Sequence, residues 1–123
     1  MKLTRSGFSL VETLFSVSIL LIVIVAAILA ITSSTFLIAA SRNLVTASGD
    51  AQYALEQIRA LSFDDIPAYI AGYPSDYFGN LPQETVSFPN PVYTANLDTI
   101  TIQISWEERN AQKDLSITTR MAR

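Results

Sequence analysis

The chain has no cysteine and no histidine among its 123 residues. Without cysteine, nothing staples the fold covalently, so any exported part must hold by packing alone. Without either residue there is no usual zinc ligand set and no ordinary nucleophile–base pair. Proline is absent before Pro67, so nothing forces a helix to break over the first half of the chain. The most telling absence lies in residues 13–41, which contain no ionisable side chain. Basic residues are few and scattered, and the net charge is −3, which excludes the clustered lysines and arginines that phosphate contacts need. No nucleic-acid partner and no small-molecule substrate are expected.

What is present is ordered around the N-terminus. Lys2 and Arg5 come first, then Gly7-Phe8, then Glu12, then an apolar run to about Ala40. The uncharged span is 29 residues long, against about 20 needed for a helix to cross a hydrocarbon core. Basic residues before the span place the N-terminus in the cytoplasm and the remainder outside, as a single-pass protein of the cytoplasmic membrane. Glu12 is costly near a bilayer, by some fraction of the roughly 2.5–3.5 kcal/mol charged at mid-membrane. A plain anchor would carry Leu or Val there, so Glu12 is a functional candidate that needs a partner from elsewhere. Two other readings are weighed. A secretory signal peptide has an apolar region of about 7–15 residues; this one is too long, and helical patterning continues past it. A plain signal anchor explains neither Gly7-Phe8 nor Glu12.

The stretch Arg5-Ser6-Gly7-Phe8-Ser9-Leu10-Val11-Glu12 resembles the prepilin signature of type IV pilins and type II secretion pseudopilins. The resemblance implies a leader at 1–7, with leader charge on Lys2 and Arg5. It implies cleavage between Gly7 and Phe8 by a membrane prepilin peptidase, N-methylation of the Phe8 amine, and subunit docking through Glu12. Removing Lys2 and Arg5 takes two positive charges from −3 and leaves −5. Other pilins or pseudopilins and an inner-membrane assembly platform are the implied partners. The product would be a pilus or pseudopilus with its heads periplasmic or extracellular. No cofactor and no metal site are implied. The alternative is a membrane-anchored binding or adaptor protein that never enters a filament.

Further along, residues 8–61 read as one long helix, transmembrane over 8–41 and amphipathic over 42–61. Its second half carries a stripe of Leu44, Ala47 or Ser48, Ala51, Leu55, Ile58 and Leu61 at three- and four-residue steps. Thr32-Ser33-Ser34-Thr35 is a polar patch whose hydroxyls bond either back to helix carbonyls or across a helix contact. All five prolines, Gly72 and Gly79 fall in residues 62–91, which read as turns rather than long elements, with interleaved aromatics covering a small core. Asp64, Asp65 and Asp76 lack the fixed spacing of a calcium loop and read as helix exit and solvated surface. Residues 85–88 suggest a short strand. Ile100, Ile102, Ile104 and Trp106 alternate strictly with polar residues, and Leu115, Ile117, Thr119 and Met121 alternate again after a polar turn at 107–112. This predicts an antiparallel hairpin over 99–121 with one apolar face, covered by the amphipathic helix.

The expected fold is therefore α+β: one long N-terminal helix packed on a small antiparallel sheet of three or four strands within a head at 62–123. No catalytic constellation is found; Ser9 and Ser16 have no base beside them. The chemistry implied is done to the chain, not by it. The strand–Trp–turn–strand ending resembles the heads of PilV-type minor pilins and I-type pseudopilins, which points to a minor subunit.

Overall fold

The computed structural model describes residues 9–122 and divides into two compact units, residues 1–39 and 40–123. The element order is α1 (Leu10–Arg59), a 3-10 turn (Phe63–Asp65), α2 (Ile66–Ala71), β1 (Thr85–Ser87), β2 (Val92–Tyr93), β3 (Leu97–Glu108) and β4 (Ala111–Ala122). The architecture is α+β, a long N-terminal helix and a small antiparallel sheet.

In the first unit, α1 is apolar on every side, and its large side chains stay exposed: Leu14 at 65%, Ile22 at 69%, Leu37 at 72%. By length and composition α1 can cross a membrane. Six of its hydroxyls, those of Thr13, Ser16, Ser18, Thr32, Ser34 and Thr35, bond back to carbonyls three or four residues earlier. Ser16 and Ser18 donate to the carbonyls of Glu12 and Leu14, each at 2.8 Å. In the polar patch, Thr32 donates to Ile28 and Leu29, Ser34 to Ala30, and Thr35 to Thr32, at 2.7–3.0 Å. Of the two uses open to these hydroxyls, the structure shows the bond back to the helix.

In the second unit, β3 is the central strand. β4 pairs with its whole length, Leu97 opposite Ala122 and Glu108 opposite Ala111. The opposite edge is shared by β1, at Ser105 to Gln103, and β2, at Thr99 to Asp98. The hairpin loop is only Arg109-Asn110, both at positive φ (54° and 61°), shorter than the six-residue turn that the sequence suggested. Two central residues in this region match the right-handed twist of the flanking strands, so pairing runs to the tip.

One side of β3 forms the core. Ile100, Ile102 and Ile104 are fully buried and Trp106 nearly so, against Ala47, Ala51, Ala54, Leu55 and Ile58 of α1. The helical contact differs from the expected stripe at both ends. Leu44 is 49% exposed, and α1 stops at Arg59, so Leu61 packs from beyond the helix. Four of the buried positions, 47, 51, 54 and 58, keep the 3.6-residue period, and three of them are alanine, so the helix lies close on the isoleucines. Arg59 closes the lower part of β4 by donating to Thr119 Oγ1 at 3.2 Å.

Residues 62–91 contain more regular structure than their prolines suggested. Pro67 falls in the first turn of α2, where its missing N–H would have no helical partner. Asp64 and Asp65 form the 3-10 turn before it, and Ser62 Oγ donates to Asp65 Oδ2. Two backbone bonds tie the segment to the sheet, Val86 N–H to Ser75 O at 2.7 Å and Glu107 N–H to Pro82 O at 2.9 Å.

Candidate functional site

The N-terminal constellation falls partly outside the described residues. Lys2, Arg5, Gly7 and Phe8 lie there, and Glu12 lies within. Glu12 is exposed in the first turn of α1. Ser9 precedes the helix as its N-cap: its carbonyl accepts Thr13 N–H at 3.1 Å, and its hydroxyl accepts Glu12 N–H at 3.4 Å. Ser9 and Glu12 thus occupy the N-cap and third helical positions of a Ser-x-x-Glu start, a local role the sequence reading did not assign. A negative charge in that turn also faces the positive end of the helix dipole. Glu12 therefore stands at a position where an acid suits the start of a helix.

Beyond Glu12, 29 uncharged residues follow without interruption, and no apolar side chain of the helix out to Leu37 is sheltered by the chain itself. A shallow groove on this surface is lined by Leu21, Ile22, Val25, Ala26 and Leu29. It is a purely aliphatic surface that water solvates poorly, and lipid or another apolar helix would cover it.

The second unit offers a more polar feature. An open cavity of about 430 Å³ lies at the turn end of the sheet, lined by Gln83, Glu84, Trp106, Glu107, Asn110 and Gln112 among others. Among the described residues, no group of three or more His, Cys, Asp or Glu gathers where an ion could be held. Two carboxylates nevertheless sit inside the head. Glu84 is 6% exposed; its Oε2 accepts the N–H groups of Asn80 and Leu81, each at 3.0 Å. Burial holds its pKa above the ordinary glutamate value, and the nearby Asp50 charge adds to this, while the two amides pull the other way. Asp98 is 1% exposed on the core side of β3, and its Oδ1 accepts Thr94 N–H at 3.3 Å. Its position, two residues before Ile100 on the same face, was legible in the alternation but went unread. Tyr69, Tyr73, Tyr77, Phe78 and Phe88 form a ring cluster with centroids 4.9–5.6 Å apart, and Tyr53 of α1 joins it at about 6 Å. Burial raises the Tyr73 phenol well above its usual range, so it stays neutral.

No protein-family model, no curated protein and no solved structure matches this chain.

Proposed function

We propose that the chain is a structural subunit of a type IV pilus or type II secretion pseudopilus, in a minor position, anchored in the cytoplasmic membrane until it is assembled through its N-terminal helix. The observation that carries this reading is the order Arg5, Gly7, Phe8, Glu12 ahead of an uncharged apolar helix. The exposed aliphatic surface of α1 supports it, since such a surface suits storage in lipid and burial against like helices.

Cleavage after Gly7 would create a cationic amine on Phe8. Glu12 is too far along its own helix to pair well with that amine. On a neighbouring protomer shifted along the helix axis, the two groups can come level. In an apolar setting the attraction is strong, and either charge left alone is expensive. The pair would thus select one axial stagger more than it adds net affinity. The prepilin peptidase and the assembly platform are the partners this route requires, and the head would face the periplasm or exterior.

Mass spectrometry of the protein from membranes tests the processing step. An N-methylated Phe8 terminus is expected; an intact Met1 on a chain that remains monomeric would instead mark a plain membrane-anchored adaptor. Because Glu12 also lies in the helix-starting turn, Glu12→Gln separates its two roles. Glutamine keeps the Ser-x-x-Glu/Gln geometry but not the charge. Insertion and cleavage should persist in Glu12→Gln while incorporation into sheared filaments falls. Wild-type incorporation would remove the charge from the explanation.

A further inference from the structure

Asn80 brings two carboxyl groups together. Its side-chain amide donates to both oxygens of Asp50 on α1, at 2.9 and 3.1 Å, while its backbone N–H donates to Glu84 Oε2. Leu81 N–H is the second donor to that same oxygen. The other Glu84 oxygen, Oε1, is sealed from solvent and has no hydrogen-bond partner among the described residues. A buried carboxylate oxygen without a donor is expensive, and a second carboxylate beside it makes it more so. A proton on Oε1 removes both costs, because a protonated carboxyl is itself a donor and Asp50 is an acceptor.

We propose that Glu84 and Asp50 share one proton, with Glu84 Oε1–H donating to the Asp50 carboxylate, and that this acid pair is a pH-sensitive clip holding the turn at residues 80–84 against α1. The groups facing Glu84 are the amides of Asn80 and Leu81 from the turn and the Asp50 carboxylate from α1. Asp50 is faced by the Asn80 amide and, through its field, by Tyr73, which stays neutral. The direction follows from proton linkage. Glu84 titrates higher in the closed turn than in an opened one. The closed form therefore holds its full advantage below the ordinary glutamate range. That advantage is lost as the pH rises from about 4.3 through the raised value, at up to about tenfold in the opening equilibrium per pH unit. Opening would free the turn and loosen the adjoining Tyr77 and Phe78 from α1. This inference stands apart from the assembly reading and holds whether or not the chain enters a filament.

The test uses the full chain in detergent micelles, with carboxyl-labelled Asp and Glu followed by NMR against pH. Alongside it, hydrogen-exchange protection of the Asn80 and Leu81 amides is corrected for intrinsic rate. Glu84 should titrate above the ordinary glutamate range. Protection of both amides should fall across that window in the wild type. In Glu84→Gln, whose amide donates to Asp50 at every pH, it should stay flat. Should that variant fail to fold, Asp50→Asn serves, since loss of the like charge should lower the Glu84 titration. An ordinary Glu84 titration, the same pH slope in Glu84→Gln, or an unmoved Glu84 in Asp50→Asn would overturn the clip. So would protection that appears only with millimolar calcium and vanishes with chelator, which would mean a cation rather than a proton joins the pair.

Discussion

The contact between α1 and the sheet is made with alanines, and Ala51→Leu tests how close it is. Ala51 has no exposed surface and lies in the middle of the series Ala47, Ala51, Ala54 and Ile58, all at 0%. Leucine adds three carbons there. Given a void to fill, they would contribute about 0.8 kcal/mol each, or roughly 2.4 kcal/mol in favour of folding. Given a closed contact, they push the helix off Ile100, Ile102 and Ile104, at about 1–3 kcal/mol against folding. The fully covered alanines on one side and fully covered isoleucines on the other favour the second outcome. Trp106 is the sole tryptophan, is 4% exposed in β3, and reports on this core directly. Urea unfolding of the full chain in detergent, followed by Trp106 emission, should show the midpoint falling by about 1 M. That figure assumes a slope of about 1–2 kcal/mol per molar for a unit this small. Val45→Leu, at a position 69% exposed, serves as the control and should stay within about 0.5 kcal/mol of wild type. A midpoint for Ala51→Leu at or above wild type would refute the close contact.

Ile102→Ala, at the fully buried centre of β3, should cost about 2–5 kcal/mol by the same assay, enough to threaten a small head. Gly49→Ala should raise stability by up to about 1 kcal/mol, because Gly49 lies inside α1 and a Cβ there meets nothing within 4 Å. Gly7→Val should leave the precursor uncut, read as retention of residues 1–7 by mass spectrometry. Thr119→Val should cost about 0.5–1.5 kcal/mol, since it removes the bond between the buried Thr119 hydroxyl and the exposed Arg59 side chain without changing the side chain's volume much.

What could be read from the sequence was whatever depends on near neighbours in the chain. The uncharged run, the helical step of Ala47, Ala51 and Ile58, and the two-residue alternation of Ile100 to Trp106 each follow from a repeat with a fixed period. The α+β layout follows from those repeats, since a one-faced hairpin and a one-faced helix each need a cover. Reading was poorer where local signals compete. Pro67 looked like punctuation, yet proline near the start of a helix favours it, and α2 forms there. Leu44 fitted the stripe by period but sits on an exposed stretch of α1. β2 is two residues long and exists only because β3 offers it an edge opposite β4.

The site divides along the same line. Glu12 stands out in sequence because its neighbours are uniformly apolar, so a single charge there is a local anomaly that needs no structure to see. Asp50 and Glu84 stand out only in three dimensions. Each is an ordinary acid by its neighbours in the chain, and 33 residues lie between them, the end of α1, a 3-10 turn, α2 and loop. What brings them to one place is Asn80, whose side-chain amide bonds to Asp50 and whose backbone N–H bonds to Glu84. A carboxyl's charge state depends on what surrounds it rather than on what precedes it in the chain. The two acids therefore stand in opposite situations. Glu12 is exposed, and any burial it undergoes must come from a neighbouring molecule. Glu84 is already buried by its own fold, so its ionisation is set within one protomer and should be unaffected by assembly. If so, the Glu84 titration should be the same in the isolated chain and in any complex it enters through α1, and a Glu84 titration that shifts on complex formation would refute this.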